Sequence, residues 1–159
     1  MSLPDRSPQR KIRSVTAAAT GAQGGPEAIP RLTQALYHRK EEVRQAAAWS
    51  LGEIGDPSAV PDLLAALYDP DWLTRRAAIV ALGKIRDVGA VPRLCALLPG
   101  SNADQCAELA DALARIGCAS ALPHLGSLVE DERPTRLPKF EGRTVGEVVK
   151  NALACLQSS

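Results

Sequence analysis

Between Glu41 and Ile54 the apolar residues recur at three- and four-residue steps: Val43, Ala46, Ala47, Leu51 and Ile54. That spacing lays one oily stripe along one side of an α-helix and leaves polar residues on the other. A second, shorter helical pattern, "VPDLLAALY", starts at Val60 and follows a proline. Each stripe needs another surface to cover it.

The same two patterns return along the chain. Pro30, Pro61, Pro92 and Pro123 are evenly spaced, with a 31-residue period. Ile29, Val60, Val91 and Leu122 precede them, and Leu32, Leu63, Leu94 and Leu125 follow two positions later. "LGEIGD" at Leu51, "LGKIRD" at Leu82 and "LARIGC" at Leu113 keep the same step. Two independent signatures with one interval define a repeat array. A lone helix pair leaves apolar surface bare, and stacking the next pair removes it from water at about 25 cal/mol per Å². The prediction is an all-α fold of stacked antiparallel helix pairs, about nine helices in a single domain over 1–159. A half unit is expected at about 9–25, because Arg13 falls one period before Arg44. Full units follow at about 26–56, 57–87, 88–118 and 119–157. In the last, Leu153 is the counterpart of Leu113 but comes later than one period allows, so a loop insertion is expected within 131–143.

Punctuation residues sharpen the boundaries. Gly55 and Gly117 suit the left-handed position that ends a helix. Asp56-Pro57 suits a cap and a first helical residue. The recurring proline opens or kinks the first helix of each pair. Thr144 and Glu147 fit a capping box. Gly52 and Gly83 stand inside helices, where glycine costs about 1 kcal/mol relative to alanine. Close approach of a neighbouring helix is the expected compensation.

Composition narrows the function classes. Aromatic residues make up only 3% of the chain, which favours closely packed helices over a sandwich or barrel. The formal net charge of +1 gives no basic excess, so nucleic acid is not the expected partner. There is no apolar run of about 18 residues to span a membrane. The N-terminal "MSLPDRSPQRKIRS" leads into no apolar h-region, so a secretory signal is not expected. Cys95, Cys106, Cys118 and Cys155 form no C-x-x-C pair, which argues against zinc and for reduced thiols in the cytoplasm. No cofactor is called for.

The stretch "EEVRQAAAWSLGEIGDPSAVPDLLAALYD" resembles the short HEAT-like repeat of the phycobilisome-lyase type. The resemblance runs from about residue 12 to 157 and is clearest from 41 to 98. It implies a right-handed α-solenoid whose second helices line a concave face. It also implies a ladder linking neighbouring units, built from an arginine after the valine and an aspartate six positions earlier. Asp69 and Arg75 keep both members. Arg13 and Arg44 keep the arginine, with Ser7 and His38 in place of the acid. Gly100 and Cys106 keep neither, so an incomplete ladder is expected. Some family members are subunits of enzymes that attach or detach bilins on phycobiliproteins, and many others are adaptors and scaffolds. Di-iron relatives carry His-Glu pairs. Here His38 and His124 are the only histidines and neither is followed by glutamate, so no metal site is expected.

Positions facing away from both neighbouring pairs should run at four-residue steps. They are Gln45, Trp49 and Glu53, then Arg76, Val80 and Lys84, then Ala107, Asp111 and Arg115, with Trp72 near the same rim. Tryptophan buries a large area and carries one donor, which makes Trp49 and Trp72 the leading anchors for a partner protein. Alternating charges around them suit the rim of a protein interface. In the insertion, Arg133, Arg136, Lys139 and Arg143 surround Phe140, a set that would contact an acidic partner or a bilin propionate, or stay solvated. The cluster Arg6, Arg10, Lys11 and Arg13 reads as a frayed end. No nucleophile has a base at a telling spacing, so no catalytic residue is assigned. The expected function is a non-catalytic adaptor or scaffold that binds another protein. The alternative is a subunit of a phycobilin lyase or other bilin-handling enzyme. Exposed end units leave self-association open.

Overall fold

The computed structural model describes residues 25–157. The half unit expected at about 9–25, save its last residue, and the basic cluster Arg6, Arg10, Lys11 and Arg13 lie outside the described residues. Within them the chain forms eight α-helices: α1 (Ile29–Ala35), α2 (Glu41–Ile54), α3 (Val60–Ala66), α4 (Trp72–Ile85), α5 (Val91–Leu97), α6 (Ala103–Ile116), α7 (Leu122–Gly126) and α8 (Val145–Gln157). Among these residues β structure is limited to one isolated antiparallel bridge, Pro134 with Thr144.

Short and long helices alternate for a local reason. A single 3-10 turn precedes each short helix, at Pro26–Ala28, Pro57–Ala59, Val88–Ala90 and Ala119–Ala121. The recurring proline sits at the second position of the short helix, where a missing N–H breaks no hydrogen bond, so it opens the helix without kinking it. Asp56 and Asp87 cap two of the turns, accepting from the backbone amides of Ser58 and Gly89. The long helices α2 and α6 end on Gly55 and Gly117, with φ of 75° and 77°. α4 ends on Arg86, with φ of 60°. All three residues donate their amide to the carbonyl one helical turn back, at Leu51, Leu113 and Leu82 respectively.

The described residues group into two compact bodies, divided between Ala81 and Leu82 within α4. In the N-terminal body α1 packs on α2, and Leu32, Leu51, Leu63 and Leu67 are fully buried. Gly52 faces the backbone of Ala81, and a Cβ at Gly52 would lie 2.7 Å from Ala81 Cα. In the C-terminal body α5 packs on α6, and both α6 and α7 pack on α8. Its core holds Leu82, Leu94, Leu109, Leu113, Leu125 and Val145. There Gly83 meets Ala112 as Gly52 meets Ala81, with a would-be Cβ 2.9 Å from Ala112 Cα. The signature leucines of the repeat are therefore the cores of both bodies.

The last pair departs from the pattern. α7 ends after one short stretch, and α8 begins only after the insertion. Thr144 and Glu147 form the expected capping box. The Thr144 amide donates to Glu147 Oε2 (2.8 Å) and the Glu147 amide to Thr144 Oγ1 (3.3 Å). Gly146 lies against the Val129 carbonyl, where a side chain would not fit.

Candidate functional site

In the N-terminal body the predicted face divides into residues that hold the fold and residues that are presented. Gln45 is half-buried and donates from Nε2 to Asp71 Oδ2 at 2.8 Å. The same oxygen accepts from the Thr74 amide (2.7 Å) and Thr74 Oγ1 (2.8 Å), so Asp71 caps α4 while α2 steadies it. Burial pushes the Asp71 carboxyl up. The hydrogen bonds from Gln45, Thr74 and the Leu73 amide outweigh this and hold it below the usual carboxylate range.

The two tryptophans follow the two partners of this bond in the chain. Trp49 lies one turn beyond Gln45 on α2, and Trp72 directly follows Asp71. They are 48% and 53% exposed. Glu53 is exposed beside Trp49, while Arg76 and Val80 are half-buried on α4. Tyr37, Tyr68 and Leu73 are further large exposed side chains of the same body, and sequence reading missed them. Tyr37 and Tyr68 follow the first helices at equivalent places in successive repeats, a signal that was available in the register. Tyr37 donates its hydroxyl to Asp62 Oδ1 (2.9 Å), which raises its pKa above the ordinary tyrosine value.

The ladder in this body differs from expectation. The Asp69 carboxylate is held by Arg44, through Nε (2.7 Å) and a second guanidinium nitrogen (2.9 Å). Arg75 instead reaches the Asp69 main-chain carbonyl, at 2.7 Å. The rung thus joins an arginine to the acid of the next repeat, and His38 contributes its carbonyl to Arg44 (2.9 Å).

In the C-terminal body the predicted face is largely covered by the chain itself. Lys84 is half-buried and Ala107 is buried. Asp111 accepts from Arg115 Nε (2.8 Å) and from Lys139 Nζ (2.6 Å). Lys139 also stands 3.5 Å from Glu108, which is buried. The Arg136 amide donates to Asp104 Oδ1 (2.6 Å). Arg133 pairs with Asp131 and reaches Ser101 and Cys106. Residues 131–143 are therefore a strap docked on α6, and its Thr135, Leu137 and Phe140 are buried. Phe140, expected as a loop contact, is a core residue. Lys139 Nζ lies 4.8 Å from its ring centroid. The Arg143 side chain is exposed, but its carbonyl accepts from Thr135.

Cys95 and Cys106 are buried, and burial pushes both thiols up, away from thiolate reactivity. Cys118 is partly exposed and Cys155 exposed, and all four are free thiols. Among the described residues no group of three or more His, Cys, Asp or Glu side chains could hold a metal ion. No described helix is long and apolar enough to cross a membrane.

A family model described as HEAT repeats matches residues 3–71 and 30–110. No curated protein matches the chain. Among solved structures, the complex of CpcE and CpcF of phycocyanin lyase from Nostoc sp. PCC7120 is similar over 100% of this chain and 68% of that chain. The TM-score is 0.71 at 23% identity. At that identity the likeness shows the fold, an α-solenoid of helix pairs.

Proposed function

The chain belongs to the HEAT-repeat family, and from that premise we propose that it is a non-catalytic adaptor that binds another protein through the N-terminal body. One observation carries the reading. Among the described residues, the large hydrophobic side chains left exposed are Tyr37, Trp49, Tyr68, Trp72, Leu73 and Val88, and all but Val88 belong to that body. Trp49 and Trp72, about half out of water and set on helices, are the kind of side chain a protein interface uses as an anchor. Glu53 and Arg76 supply a mixed-charge rim. On the C-terminal body, Lys84, Asp111 and Arg115 are secondary candidates, because the strap already engages Asp111. Four free thiols suit a reducing, cytoplasmic setting.

The test is Trp49→Ala with Trp72→Ala. Loss of two anchors should weaken capture of the partner by at least about 30-fold, on the scale of one hot-spot residue. Helix content by circular dichroism should not change. Undiminished capture would remove the site.

A second reading is favoured by the likeness to the CpcE–CpcF complex: a subunit of a bilin lyase. It requires bilin absorbance on the purified protein, or bilin transfer to a phycobiliprotein subunit. If neither is observed, the adaptor reading stands alone.

A further inference from the structure

We propose that Arg133 is a displaced ladder arginine, which supplies from the inserted strap the guanidinium that position 106 lacks and so pins the strap to α6. The repeat register carries the argument. In the N-terminal body the rung has fixed receptors. Asp69 offers its carboxylate to Arg44, and the carbonyls of Asp69 and Pro70 accept from Arg75 at 2.7 and 3.0 Å. One period beyond Pro70 is Ser101, and one period beyond Arg75 is Cys106. Two periods beyond Asp69 is Asp131.

Arg133 engages these three counterparts together. It donates to the Ser101 carbonyl (3.0 Å) and lies 3.6 Å from Cys106 Sγ. Its Nε and a terminal nitrogen take the Asp131 carboxylate at 3.0 and 2.6 Å. The carboxylate and the carbonyl are those of an ordinary rung, as Arg44 takes the Asp69 carboxylate and the His38 carbonyl, and only the origin of the guanidinium differs. A planar fork of five donors can grip a carboxylate with two N–H groups while a third serves a carbonyl, a fixed geometry that the point charge of lysine does not supply. Cys106 makes the exchange sterically feasible. It is fully buried, and its Sγ lies 3.5 Å from the Leu98 carbonyl and 3.7 Å from that of Ser101, in the space where a longer side chain from α6 would run.

The exchange has a consequence for the surface. Beyond Arg133 the strap follows α6, with the Arg136 amide on Asp104 and Lys139 on Asp111. The rung at Arg133 anchors the end at which the strap enters, so it sets whether the α6 face is covered. This holds whether or not the N-terminal body binds a protein.

Transplanting the rung back tests the idea in the full chain. Arg133→Ala should lower Tm by about 3–8 °C. It should also speed amide exchange at Thr135 and Val145, whose N–H groups bond to Arg143 and Arg133 carbonyls across the strap. Adding Cys106→Arg to that variant should recover about half or more of the lost Tm. A double variant no more stable than Arg133→Ala alone overturns the proposal. Should the double variant not fold, Asp131→Asn decides. Combined with Arg133→Ala it should lower Tm no further than the worse single change, whereas simple addition of the two losses overturns the proposal.

Discussion

Gly52 lies against the backbone of Ala81 so closely that a Cβ there would stand 2.7 Å from Ala81 Cα and 2.9 Å from its Cβ. The same contact recurs one repeat later, between Gly83 and Ala112. A helical glycine costs about 1 kcal/mol in propensity, and close backbone approach of two long helices offsets it. Gly52→Ala should therefore destabilise the protein by about 1–3 kcal/mol, as overpacking does, despite the better helix propensity of alanine. Gly126→Ala is the control, because nothing lies within 4 Å of a Cβ there. Urea unfolding should show a loss for the first and no loss for the second. Equal effects would mean that backbone proximity is not what selects glycine at position 52.

Arg86 ends α4 in the left-handed conformation that glycine supplies at positions 55 and 117. A side chain in that region costs about 1–2 kcal/mol, and glycine recovers part of this while adding freedom to the unfolded chain. Arg86→Gly should raise stability by about 0.5–1 kcal/mol. Thermal denaturation reads the change, and a lowered Tm would mean that the Arg86 side chain holds something its backbone strain conceals.

Two carboxylates tie stability to acidity. A hydrogen bond from Arg133 is the main cause holding the Asp131 carboxyl below the usual range. Asp71 is lowered by its Gln45 and Thr74 donors against the opposing effect of burial. A folded-state pKa below the unfolded one gives stabilisation that is complete above the unfolded value of about 4. It is lost as pH falls through the lowered folded value. The urea midpoint should hold steady from about pH 7 to 5 and fall steeply below about pH 4. Asp71→Asn with Asp131→Asn should flatten that fall. An unchanged slope would assign the acid response to other groups.

Repetition made most of the fold legible. Leu32, Leu63, Leu94 and Leu125 share one place in the pattern and are all fully buried. Proline in the second helical position, Gly55, Gly117 and the Thr144–Glu147 box act over short stretches of chain, so their geometry follows from local sterics and hydrogen bonding. The candidate site was only partly legible. Helical spacing points to Trp49 and Trp72 as presented side chains, and both are about half exposed. Tyr37 and Tyr68 lie beyond the ends of their helices, where helical spacing does not reach.

The sequence by itself determined the helix pairs, their caps and the repeat period, because each depends on residues close together in the chain. It could not determine what the insertion does. Lys139 meets Asp111 and Arg133 meets Cys106 across nearly a full repeat of chain, and a run of basic residues around one phenylalanine reads equally well as a solvated loop. Only the tertiary course of the strap, laid along α6, decided that Phe140 belongs to the core and that Arg133 stands where the ladder lacks its arginine. The physical reason is that a charge has no preferred partner until folding sets which opposite charge is near and how much water remains between them.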